Sequence, residues 1–141
     1  MAAELSALRA LHVGLSVSDM ERSIRWYGEM LGFVPVSDCE MPALESRVVF
    51  LQNGGFELEL FHHHRTLPLP PQRREPNEDI RTQGTKHLCF ACPDVPGLLA
   101  ELRRKGADVV FEQVIKGKPM GFVRDPDGIL IEFIQPASMP Q

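Results

Sequence analysis

Apolar and polar positions along the chain repeat one rhythm twice. An apolar strand pattern around His12 leads to Asp19, and then Met20, Ile24, Tyr27 and Leu31 follow at helical spacing and stop at Gly32. The same order returns at His87 and Asp94, with Leu98, Leu99 and Leu102 before Gly106. Ser18-Asp19-Met20-Glu21 has the form of a capping box, and Asp94 with Pro96 just behind it is a second helix start. Later in each half comes an apolar strand, Val48-Val49-Phe50-Leu51 or Gly121-Phe122-Val123-Arg124. A turn follows, Asn53-Gly54-Gly55 or Asp125-Pro126-Asp127-Gly128, and then an apolar strand with one embedded glutamate. Each half therefore reads βαβββ, its second strand only weakly marked. The first module is assigned to 8–61 and the second to 85–136, within a single domain over 1–141. Residues 62–84, with Pro68, Pro70, Pro71 and Pro76, read as an irregular connector.

The repeat singles out four residues. His12 and Asp19 recur as His87 and Asp94 at an offset of 75, and Glu59 recurs as Glu132 at an offset of 73. Two equivalent modules paired about a pseudo-twofold axis bring matching positions together. His12, Glu59, His87 and Glu132 then form the ligand set of one divalent ion: zinc, nickel, cobalt, manganese or iron(II). Glu132 sits within Ile129-Leu130-Ile131-Glu132-Phe133-Ile134, where an ionised carboxylate is costly unless paired, protonated or bound to metal. Glu57 lies on the same strand face as Glu59, but it matches Leu130 in the second half, so Glu59 is the assigned ligand.

Composition narrows the partners. The chain has 141 residues, 43% apolar and 24% charged, as in ordinary globular domains. A net charge of −4 provides no basic field for nucleic acid or an anionic membrane surface, and no apolar run is long enough to span a bilayer. Small-molecule partners are expected. Met1–Ala10 lacks the pattern of a secretory signal, which points to the cytoplasm. Cys39, Cys89 and Cys92 cannot all pair within the chain, and Cys89 and Cys92 lie on opposite faces of a predicted strand, so the C-x-x-C reads as structural. His62-His63-His64 has no counterpart in the second half and is assigned to the cavity mouth rather than to the ligand set.

Five stretches carry a resemblance to the vicinal oxygen chelate superfamily, which takes in glyoxalases, bleomycin resistance proteins and dioxygenases: Leu11–Gly14, Tyr27–Gly32 (YGEMLG), Glu57–Leu60 (ELEL), Gly84–His87 (GTKH) and Arg124–Phe133 (RDPDGILIEF). The resemblance implies an α+β, glyoxalase-like fold of two paired βαβββ modules forming a curved mixed sheet around a metal site, in a homodimer. It implies a metal-dependent lyase or isomerase acting on a small carbonyl or hydroxy-carbonyl compound through a stabilised enediolate, with Glu132 or Glu59 as the proton-shuttling base. Lys118, Phe50 and His63 are the candidate substrate contacts. Glu29 and His63 stand where glutathione-dependent members carry an arginine and an asparagine, and Val48–Leu51 lacks the extra glutamate of the epimerases, so neither substrate is implied. Two other activities compete. An iron(II) dioxygenase could use His12, His87 and Glu132 as its triad, and a drug-binding resistance protein would need an apolar cleft without metal.

Overall fold

The computed structural model describes residues 4–141. The expectation about the N-terminal segment therefore lies partly outside the described residues. Among those described, no helix is long and apolar enough to cross a membrane.

Two four-stranded mixed sheets carry the fold. The first contains β1 (His12–Ser16), β2 (Val34–Met41), β3 (Ser46–Asn53) and β4 (Phe56–His63) in the order β1-β4-β3-β2, with α1 (Met20–Leu31) after β1. The connector holds a short helix, α2 (Pro76–Asp79). The second sheet contains β5 (Leu88–Ala91), β6 (Asp108–Ile115), β7 (Lys118–Arg124) and β8 (Leu130–Ile134) in the order β5-β8-β7-β6, with α3 (Val95–Arg104) after β5. In both sheets the first strand is parallel to the last, and the other pairs are antiparallel.

Both main helices start on a carboxylate that caps the first turn. Asp19 accepts a hydrogen bond from the Arg22 amide at 3.0 Å and Asp94 from the Gly97 amide at 3.0 Å, each satisfying one of the free amides of the first turn. The cap of α1 is thus Asp19, and the predicted box on Ser18 does not form. Ser18 is taken up elsewhere, its amide and hydroxyl both donating to the Asp127 carboxylate of the second half. At its far end α1 is closed by Gly32, whose positive φ lets its amide reach the Gly28 carbonyl at 3.0 Å.

The core lies between each sheet and its helix. Val49, Leu51, Leu58 and Leu60 bury against the α1 residues Met20 and Tyr27, while Leu88, Val123, Ile131 and Phe133 share the core with the α3 residues Val95, Leu99 and Leu102. Phe90 joins the halves, its ring 6.0 Å from both Phe33 and Phe56. The second turn also docks on α1, because the buried Tyr27 hydroxyl donates to Asp125 at 2.9 Å.

Candidate metal centre

The four assigned residues form two histidine–glutamate pairs, one in each half. In the first half, Gly14 of β1 faces Glu59 of β4 in the parallel ladder, and the two-residue alternation puts His12 on the same side of the sheet. His12 Nε2 lies 3.2 Å from Glu59 Oε2. Phe50, opposite Glu59 on β3, sets its ring perpendicular to the imidazole with centroids 5.4 Å apart. The second half repeats this construction. His87 Nε2 lies 2.8 Å from Glu132 Oε2, and Phe122, opposite Glu132 on β7, meets the His87 ring at 90° and 5.1 Å.

The four residues are nevertheless brought together two and two. Among the described residues no three His, Cys, Asp or Glu side chains converge at one point. Each pair offers one imidazole nitrogen and one carboxylate oxygen, a donor chemistry that suits a divalent ion but supplies half of a four-ligand shell. The pairs also differ in depth. Glu132 is 8% exposed, in a strand where Leu130, Ile131 and Phe133 are buried as well, while Glu59 is only partly buried.

Phe122 was not singled out by the sequence, although its pairing with Glu132 makes it the partner of Phe50. The clue was obscured because β3 and β4 join through the two residues Gly54-Gly55, whereas β7 and β8 join through Asp125–Ile129, which changes the offset. Cys89 was also passed over as a site residue. It faces Glu132 in the ladder where Gly14 faces Glu59. Partial desolvation and the Glu132 carboxylate push its thiol up to about 12, so it is neutral at physiological pH. Cys92 turns toward the core, and all three cysteines are free.

The remaining candidates stand apart from the pairs. His63 ends β4, where its Nδ1 accepts from the Arg65 amide at 2.9 Å. Lys118 opens β7 as an exposed residue, on the strand face that four residues later carries Phe122. A cleft of about 1070 Å³ runs along the free edge of β1 beneath the connector, reaching His63 at one side and His87 at the other.

Similarity to known proteins follows the whole double module. A lactoylglutathione lyase of Arabidopsis thaliana is 30% identical over 140 residues, covering 94% of this chain and 46% of that protein, so the chain spans about half the length of this plant relative. Human mitochondrial methylmalonyl-CoA epimerase is 26% identical over 136 residues, covering 90% of this chain and 73% of the epimerase. The structure of the trypanothione-dependent glyoxalase I of Leishmania major superposes with a TM-score of 0.73, at 28% identity over 92% of this chain and 87% of that one. Since the family profile extends over residues 9–133, from the strand of His12 to the strand of Glu132, the chain belongs to the Glyoxalase/Bleomycin resistance protein/Dioxygenase superfamily.

Proposed function

We propose that the protein is a metal-dependent lyase or isomerase of glyoxalase type, acting on a small carbonyl or hydroxy-carbonyl compound. Its metal ligands are His12, Glu59, His87 and Glu132. One observation carries this reading: each half presents a histidine Nε2 against the carboxylate of its equivalent glutamate, at 3.2 Å and 2.8 Å, with a phenylalanine ring behind each imidazole. Because the pairs do not meet within one chain, the full ligand set comes from two copies, each giving one half to the other's complement.

A divalent ion held by His12, Glu59, His87 and Glu132 would supply Lewis-acid polarisation of a substrate carbonyl. The chain's own groups do the rest. Glu132 accepts the proton from the carbon next to the carbonyl and returns it to a neighbouring atom, with Glu59 as the equivalent group of the other half. Its burial keeps bulk water away from the carboxylate and from a substrate C–H bound beside it. Phe50 and Phe122, packed edge to face against the imidazoles, hold their planes. Glu59 beside His12 weighs against a dioxygenase, which needs that position for oxygen or substrate.

Elemental analysis of protein purified without added metal, followed by screening of aldehydes and keto acids, tests the reading. Bound divalent metal and a turnover that Glu59→Gln and Glu132→Gln both abolish are expected. Metal content and turnover unchanged in both variants would falsify it.

A further inference from the structure

The two histidines are held by different means. His12 is the first residue of β1 and lies inside the ladder, opposite Glu57. His87 lies one residue outside β5, whose pairing with β8 begins at Leu88 opposite Ile131. What fixes the chain just before His87 is the connector. The Lys86 ammonium donates to the Asp79 carbonyl at 2.6 Å, to Asp79 Oδ1 at 3.0 Å and to the Thr82 carbonyl. Arg73 donates to the same Oδ1 at 3.0 Å and to the Thr85 carbonyl. Both residues before His87 are thus tied to one buried carboxylate in α2. Asp79 is 1% exposed, and its Oδ2 is one of two buried side-chain atoms without a partner among the described residues. An unsatisfied buried oxygen of this kind is costly to keep.

We propose that Asp79 is a positioning residue for the metal ligand His87, acting through Lys86 and Arg73 on the backbone of Thr85 and Lys86. The inference rests on the metal reading above. Charge-assisted bonds from two cations to one carboxylate are short and directional, and they replace at His87 the restraint that the ladder gives His12. The connector thereby sets the reach of the His87 imidazole toward Glu132. A role confined to anchoring the connector would lower stability and leave metal affinity alone.

Cobalt(II) titration of the full chain, read by the visible ligand-field bands and by competition with a chelator, separates these cases. Wild-type protein is expected to bind, while Asp79→Asn and Lys86→Met weaken cobalt binding about tenfold or more and alter the bands, as loss of a ligand-orienting partner does. Lys86→Met leaves Asp79 paired with Arg73, which keeps the test open if Asp79→Asn folds poorly. Leu102→Val, a core change in α3 remote from His87, lowers the melting temperature without changing the bands. Wild-type cobalt affinity in both Asp79→Asn and Lys86→Met overturns the positioning role alone. Absence of binding by the wild-type chain overturns the metal reading and this inference with it.

Discussion

Glu59 and Glu132 hold equivalent places but differ in what removing their charge should do. Glu132 has apolar neighbours on both sides along the strand, and its polar partners are the His87 imidazole and the neutral Cys89 thiol, so its ionised form is poorly compensated without a cation. Glu132→Gln should therefore leave the metal-free protein within about 1 kcal/mol of the original or more stable, since a neutral amide is cheaper to bury. Saturating zinc should then no longer raise the melting temperature, whereas for the wild type about 2.7 kcal/mol is expected at a hundredfold excess over Kd. Thermal melts with and without zinc check both halves of the prediction. Gly121 gives a second, purely steric case. A Cβ there would meet the Leu99 side chain and lie 2.9 Å from the Phe111 carbonyl oxygen, so Gly121→Ala should cost about 1–3 kcal/mol in chemical denaturation. The four candidate ligands were legible in the sequence because they obey the repeat. Phe122 and Cys89 were not, because what makes them part of the site is which strand lies opposite Glu132, and that register depends on a turn whose length differs between the halves.

At the scale of elements, the turn between β7 and β8 does more than reverse the chain. Asp125 Oδ1 accepts from the Asp127 and Ile129 amides, both at 2.9 Å, while Oδ2 accepts from the Tyr27 hydroxyl of α1. Burial pushes the Asp125 carboxyl up to about 6 in spite of these bonds, and the neighbouring Asp127 adds to the rise. An unfolded carboxyl titrates near 3.8, so between about pH 4 and 6 the native state binds more protons than the unfolded one and stability falls as pH rises. The contribution is present below that window and lost above it, amounting to about 3 kcal/mol. Asp125→Asn keeps one oxygen for the two amides and offers an amide to the Tyr27 oxygen. Its stability relative to wild type should climb across that window, and parallel profiles for the two proteins would rule out Asp125 as the source. This docking also explains where the sequence misled. The helix starts and the order of elements along the chain were readable from periodicity and caps, but Ser18 leaves the cap to Asp19 and donates instead to Asp127, a partner 109 residues away that no local pattern announces. β2 was weakly marked because it is exposed along its whole length, leaving no buried face to impose alternation.

For the whole molecule the decisive feature is that His12 pairs with Glu59 and His87 with Glu132, with no group of three His, Cys, Asp or Glu donors at either place among the described residues. If two copies complete the site, a chain lacking its first pair and a chain lacking its second should complement one another. Consider His12→Ala with Glu59→Gln in one protein and His87→Ala with Glu132→Gln in another. Alone, each would form sites with two donors at most and should hold no metal tightly. Unfolded together in equal amounts and refolded, they would give mixed dimers in which one site has all four donors and the other has none. With random pairing, half the dimers are mixed, so bound metal should return to about a quarter of the wild-type amount per chain. Turnover should recover in the same proportion, because the intact sites are unaltered. A site closed within each chain gives a different result, since both double variants would stay empty however they are mixed. Metal content of the refolded mixture, measured after gel filtration, decides between the two arrangements.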